Sequence, residues 1–295
     1  MSHSLLSYCA FRLMGGLAPL LPRRFGYWLA EQAGTVAYHL GRPSPAALRG
    51  NLYHVLGTDG DDNNVQRVAV EVFRNLAKNY YDLFHKHALS TEEATASIEV
   101  RGLHHIEEGL KAGKGLIVVS AHFGPFDAVW LIGRRLDLKI TAPAEHIKPE
   151  RLYRYVCRLR DKEWIVLLPV DRPLMGVVRA LRRGEIVAIG GDRDITGSGI
   201  VVDFFGAPAR LPDGAVQLAL RTGASLLTCW AVRQPDNTAV LEVEPLLRLD
   251  RTGDFEQDVL ANVRKVAARM EDWIGRYPDQ WLVLYPIWED GSHGE

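Results

Sequence analysis

His122 and Asp127 are the residues whose types and spacing first point to chemistry, in the stretch Leu116-Ile-Val-Val-Ser-Ala-His122-Phe-Gly-Pro-Phe-Asp127. An imidazole with one nitrogen held by a carboxylate keeps a fixed tautomer, offers its other nitrogen as a base, and has its charged form stabilised during turnover. On one continuous helix a spacing of five would set the two side chains about 140° apart. With His122 in a loop and Asp127 in the first turn of a helix, the chain can curl until the carboxylate accepts the Nδ1 proton. The sequence carries no GxSxG-type nucleophile motif, so a base here would act directly on a substrate hydroxyl. A histidine at a strand end also serves as a cap or a packing residue, and the five-residue spacing alone does not separate these readings.

The elements that must position the pair are legible around it. Leu116 to Ser120, branched and apolar, is predicted as a buried parallel strand, which puts His122 at a carboxyl end, where open α/β sheets place their ligands. Pro125 suits a first helical position and Ala128 to Leu136 the helix that follows, so that Asp127 falls where unpaired N–H groups favour a carboxylate. Further strands are predicted at 97–101, 138–142, 165–168, 185–189, 225–232 and 239–243. Helices are expected at about 104–112, 150–162, 174–183, 211–222 and 255–274. This alternation predicts an α/β fold, a largely parallel central sheet flanked by helices. Ahead of it, 46–56 and 65–88 read as helices, the second from apolar steps of three and four through Val68, Val72, Phe73, Leu76, Tyr80, Leu83 and Phe84. The division expected is an N-terminal helical part, 1–95, and a compact α/β core, 96–295.

If the sheet is parallel, three strand-end loops converge and bring His122 with Asp127, Glu145, and Asp192-Arg193-Asp194 to one place. A base that deprotonates a substrate hydroxyl for attack on a carbonyl needs donors for the developing oxyanion beside it. Oxyanion candidates are Arg160, another arginine of the 151–160 helix, or backbone N–H groups after His122. The arginines at 151, 154, 158 and 160 otherwise form a solvated face. The Asp192-Arg193-Asp194 triplet is either a self-neutralising ion cluster or part of a binding site. Phe204-Phe205-Gly206 with the Pro-bounded loop carrying Arg210 is either core or the wall of an acyl channel. Trp281, Tyr285 and Trp288 read as packing or interfacial anchors.

Composition narrows the class. Hydrophobic residues make up 47% of the 295 and charged residues 24%, the balance of a globular chain with a substantial core. A net charge of −1 provides no basic field, so nucleic acid is not an expected partner. Cys9, Cys157 and Cys229 lie far apart with no CxxC spacing, which reads as reduced thiols, and no histidine pair shares a helical face, so no metal is expected. Leu5 to Leu21 is apolar but is interrupted by Arg12, Gly15, Gly16 and Pro19. It is marginal against the ~20 residues of a bilayer span, and without a basic leader or an Ala-x-Ala site it does not read as a secretory signal. With Arg12, Arg23, Arg24, Tyr27 and Trp28 it can lie in a membrane interface, or pack on the protein's own core.

The strand-HFGPFD-helix segment resembles the HxxxxD/E motif of the bacterial glycolipid acyltransferases, a family that includes lipid A lauroyl and myristoyl acyltransferases and phosphatidylinositol mannoside acyltransferases. The resemblance covers most of the chain through Ala144-Glu-His-Ile-Lys-Pro-Glu150, Gly191-Asp-Arg-Asp194, Asp203-Phe-Phe-Gly-Ala-Pro-Ala-Arg210, Thr222-Gly-Ala224 and Tyr277-Pro-Asp-Gln-Trp281. Asp127 and the AEHIKPE stretch are closer to the mannoside branch, while Gly191-Asp-Arg-Asp-Ile-Thr196 stands where glycerolipid enzymes show an FPEGTRS-like stretch. The resemblance implies a glycerolipid-acyltransferase-like fold, with His122 and Asp127 catalytic. It implies substrate-binding roles for Glu145 and Arg160, to which the converging loops add Asp192, Arg193, Asp194 and Arg210. It implies acyl-CoA or acyl carrier protein as co-substrate and no other cofactor. The acceptor implied is a hydroxyl of a membrane glycolipid, a phosphatidylinositol mannoside first and a lipid A precursor second. The same resemblance favours the membrane reading of the N-terminus and a peripheral place on the cytoplasmic face of the bacterial inner membrane. The reading from a different class is a lipid-binding protein that keeps the fold without the catalysis.

Overall fold

The apolar periodicity of the first hundred residues folds as helices, and the branched runs after them fold as strands. In the computed structural model, which describes residues 3–41, 44–57, 60–130, 133, 136–160, 164–170, 175–195 and 197–288, helices α1 (His3–Leu17), α2 (Arg23–Leu40), α3 (Ser44–Leu56), α4 (Asp62–His87) and α5 (Thr91–Ala96) precede the first strand. Asp61 caps α4 by accepting from the Asn64 N–H at 2.6 Å, satisfying one of the helix's orphan donors. Helix α2 lies tightly on α4 because small residues face it: a Cβ on Gly34 would stand 2.6 Å from the Arg74 Cα. Tyr27 and Ala30 of α2 are buried with Tyr81 and Phe84 of α4.

Strands β1 (Ile98–Arg101), β2 (Leu116–Ser120), β3 (Ile140–Ala144), β4 (Ile165–Pro169), β5 (Ile186–Gly190), β8 (Ser225–Arg233) and β9 (Ala239–Val243) form one sheet in the order β1-β9-β8-β2-β5-β3-β4. All its pairings are parallel except β8 with β9. Helices α6 (Leu103–Leu110), α7 (Glu150–Arg160), α8 (Met175–Arg182), α9 (Gly214–Thr222) and α10 (Phe255–Arg276) connect the strands and cover the sheet. Apolar clusters on its two faces bury the four apolar residues of β2, with Ile117 and Val119 on one side and Leu116 and Val118 on the other. A strand covered on both faces needs an unbroken apolar run rather than an alternating one.

One expectation changes. The helix foreseen from Leu211 begins at Gly214, because 200–211 folds as an antiparallel hairpin of β6 (Ile200–Phe204) and β7 (Ala207–Leu211). Exposed Val201 and Asp203 alternate there with buried Val202 and Phe204, and Phe205 and Gly206 take the two positive-φ positions of the turn, as a two-residue hairpin requires. The helix expected from Ala128 to Leu136 is entered through a 3-10 turn, Phe126–Trp130; Gly133 and Leu136 are helical, and residues 131–132 and 134–135 lie outside the described residues.

Candidate active site

Strands β2 and β5 are parallel neighbours with Ser120 opposite Gly190. Two residues beyond those partners stand His122 and Asp192, so the sheet register delivers them side by side. The Asp192 carboxylate, fully buried, accepts from the His122 backbone N–H at 2.8 Å, bonds His122 Nδ1 at 2.9 Å, and accepts from the Trp281 indole at 3.0 Å. Leu282 N–H donates to the His122 carbonyl at 2.7 Å, so both backbone polar groups of His122 are held. The imidazole is 38% exposed; with Nδ1 engaged, Nε2 is left as the available base.

The electrostatics follow from this packing. Burial works against the charged imidazole, but the Asp192 charge and hydrogen bond outweigh it and raise the His122 pKa above its ordinary value. Burial also works against the Asp192 carboxylate, which is nevertheless held below the usual range by the His122 charge, both bonds from His122 and the Trp281 indole. A buried anion is tolerated when its lone pairs are filled in this way.

The partner expected for His122 from the sequence, Asp127, is engaged elsewhere. Asp127 accepts from the Trp130 indole at 3.0 Å and pairs with Arg160, whose Nε approaches to 2.9 Å and whose Nη2 donates at 3.3 Å. The reason lies in the chain path after His122. Phe123 bridges to Trp281, Gly124 turns the backbone through a φ of +53°, and the 3-10 turn then aims Asp127 at α7. A Cβ at Gly124 would stand 1.8 Å from the Ala231 carbonyl, so only glycine permits that turn.

The remaining predicted residues divide into two groups. Arg160 turns inward, against Asp127 and over the Phe126 ring at 5.5 Å, whereas Arg151, Arg154 and Arg158 stay exposed. Arg193 ion-pairs with Glu145 across two strand ends and lies 4.5 Å from the Tyr285 ring centroid. The charges of Arg193 and Arg160 both act on His122 and work against its protonation. Asp194 and Arg210 are placed differently: Asp194 accepts from the Gly199 N–H at 2.7 Å and Arg210 donates to the Gly199 carbonyl at 2.8 Å. Those two contacts fasten the loop leading into β6. Phe204 is buried and stacks on Trp288 with ring centroids 5.6 Å apart, which makes it core and not the wall of a channel.

Next to the Asp127–Arg160 pair is a largely apolar pocket, which Leu83, Ala128, Trp130, Leu159, Trp164 and Ile165 help to line. Sequence reasoning missed this pocket, the Asp192 bond to His122 and the Trp281 anchor. The equal offsets of His122 and Asp192 from two strand ends were the only available signal for the pair, and reading them needs the register. Among the described residues, no group of three or more His, Cys, Asp or Glu is arranged to hold a metal ion.

A braced imidazole at the carboxyl end of a parallel sheet, with cations and an apolar pocket beside it, belongs to the class of α/β acyltransferases. The chain is a member of the bacterial lipid A biosynthesis acyltransferase family, whose model matches residues 6–290. It is 30% identical over 263 residues to the phosphatidylinositol mannoside acyltransferase of Mycobacterium tuberculosis (strain ATCC 25618 / H37Rv), covering 85% of this chain and 79% of that one. The enzyme of the same name from Mycolicibacterium smegmatis is 31% identical over 254 residues, covering 83% and 79%. The crystal structure of the 1-acyl-sn-glycerophosphate acyltransferase PlsC from Thermotoga maritima aligns with 84% of this chain and 97% of its own, at 16% identity and a TM-score of 0.37.

Proposed function

We propose that this acyltransferase moves a fatty acyl chain from acyl-CoA, or from acyl carrier protein, to a hydroxyl of a phosphatidylinositol mannoside at a membrane surface. The observation that carries the reading is the Asp192–His122 pair, which engages Nδ1 of a part-exposed imidazole and leaves Nε2 as the base. Nε2 takes the proton of the acceptor hydroxyl as its oxygen attacks the thioester carbonyl. The carbon–sulfur bond then breaks, the imidazolium returns its proton to the departing thiolate, and an ester and a free thiol result. Arg160 and Arg193 are the cations nearest in effect to the developing oxyanion. The apolar pocket beside Asp127 suits the acyl chain, and the resemblance to the mannoside enzymes supports the acceptor.

The membrane part of the proposal rests on the N-terminal helices. Leu13, Leu17 and Leu20 are exposed together with Phe25, Trp28 and Leu29, and Arg12, Arg23 and Arg24 are exposed among them. An exposed apolar face edged with arginine suits the interface of an anionic bilayer. No helix among the described residues is long and apolar enough to cross a membrane. Tyr27, expected at the interface with Trp28, is instead buried, its hydroxyl donating to Asp82 at 2.6 Å.

The test is thiol release from palmitoyl-CoA in the presence of separate glycolipid acceptors, with His122→Ala as control. Release that needs both the mannoside lipid and His122 supports the proposal. No release with any acceptor points to lipid binding without catalysis, and release without acceptor points to hydrolysis.

A further inference from the structure

Outside the immediate site, one buried polar cluster reaches the loop that follows His122. Arg233, at the end of β8, is buried, and its Nη2 donates to Asn79 Oδ1 and to Asp82 Oδ2, each at 2.6 Å. Asn79 in turn donates its Nδ2 to the Gly124 carbonyl at 2.6 Å. The backbone of Arg233 exchanges two bonds with the Gln280 amide, at 2.8 and 3.0 Å, and the Gln280 carbonyl accepts the Gly124 N–H at 2.7 Å. Both backbone polar groups of Gly124 are therefore held by partners of a single arginine, Asn79 and Gln280, the carbonyl also accepting from the Phe126 N–H at 2.9 Å. A buried ion pair is weak support for stability, because apolar residues of similar volume often serve as well. A hub that fixes the direction of an amide has a use that apolar packing cannot supply: with its oxygen engaged by Arg233, Asn79 can present only N–H to Gly124.

We propose that Asn79, oriented by Arg233, is a positioning residue: it clamps the left-handed turn at Gly124 and so sets the backbone between His122 and Asp127 for acyl transfer. The proposal rests on His122 as the base. It separates the roles of one side chain. Asn79→Asp keeps an acceptor for Arg233 but replaces the donor facing the Gly124 carbonyl, and the added charge stands against the Arg233 guanidinium. Asn79→Ala removes both contacts.

The experiment compares wild type, Asn79→Asp and Asn79→Ala by kinetics, by melting temperature and by hydrogen exchange at the Gly124 amide. A misplacement of the order of 1 Å near reacting groups costs up to ~10²-fold in rate. Asn79→Asp is expected to melt below the wild type, because a donor is withdrawn from a buried carbonyl, to lose at least about tenfold in kcat at a temperature where it is fully folded, with KM for the acyl donor little changed, and to exchange Gly124 N–H faster by a larger factor than other core amides. Wild-type kcat in the folded Asn79→Asp variant overturns the proposal, as does exchange quickened no more at Gly124 than at other core amides. The exchange measurement reads the clamp whether or not turnover is found, whereas wild-type protein inactive on every acceptor overturns the acyl-transfer reading instead.

Discussion

Asp192 grips His122 twice, once through the backbone N–H at 2.8 Å and once through Nδ1 at 2.9 Å, so the orientation of the ring and its path out of β2 are set by the same carboxylate. The two bonds act together, since removing the carboxylate frees the ring and also strands a buried N–H.

Asp192→Asn is expected to lower kcat by roughly 10²–10⁴-fold, as for other imidazole bases deprived of their carboxylate. The pH profile should move as well. In the wild type, activity rises with pH as His122 loses its proton, through a pKa raised above ~6.5 by Asp192 against the effect of burial. Without the negative charge, burial and the Arg193 and Arg160 charges remain, all of them lowering, and the acidic limb should move below ~6.5. Trp281→Phe, which removes one of the three donors to Asp192 but leaves its charge in place, should keep the limb above ~6.5. An unmoved limb in Asp192→Asn would contradict the assignment.

Asp127→Asn should behave differently. Its carboxylate holds Arg160 at 2.9 Å rather than the imidazole, so the acidic limb is expected to stay where it is while KM for the acyl donor rises, because the freed arginine borders the apolar pocket. Kinetics from pH 5 to 9 on this variant would show it; a limb displaced as in Asp192→Asn would place Asp127 on His122 during turnover.

The pair also makes stability depend on pH. The raised pKa of His122 means that its contribution is complete below ~6.5, its unfolded value, and is lost as pH rises through the folded value. The lowered pKa of Asp192 means that its contribution is present above ~3.9 and is lost as pH falls through the folded value. Together they contribute most between about pH 4 and 6.5. Urea unfolding of wild type and Asp192→Asn should give a stability gap that narrows from pH 6 to pH 9. A constant gap would mean that the pair is not charged in the native state.

Helix α2 carries adjacent residues with opposite duties. Trp28→Ser and Leu20→Ser, at positions 53% and 77% exposed, should weaken sedimentation with anionic vesicles and leave the melting temperature unchanged. Tyr27→Phe, which withdraws a buried donor from Asp82, should cost about 1–3 kcal/mol and leave vesicle binding intact. Deleting the first 28 residues would mix the two effects, since it removes the face and the buried hydroxyl together.

The strand runs and the amphipathic helices were legible because each is a local pattern. Leu116 to Ser120 needs only its own branched apolar residues to read as a buried strand, and α4 only its three- and four-residue steps. The β6–β7 hairpin was hidden because five-residue strands on either side of Phe205-Gly206 also fit a turn followed by a loop. The arginines of α7 were legible as a charged face, but which one turns inward depends on what stands opposite, and Asp127 decides that in favour of Arg160.

The sequence alone determined the alternating strands and helices, the place of His122 at a strand end, and the likeness to glycolipid acyltransferases, because all of these lie in contiguous residues. Which carboxylate holds His122 was decided by tertiary structure. Asp127 is five residues away and Asp192 seventy, but register pairs Ser120 with Gly190 and brings Asp192 to the ring. Gly124 meanwhile turns Asp127 toward α7. Hydrogen bonding follows distance in space, and two parallel strands set that distance more firmly than five residues of loop.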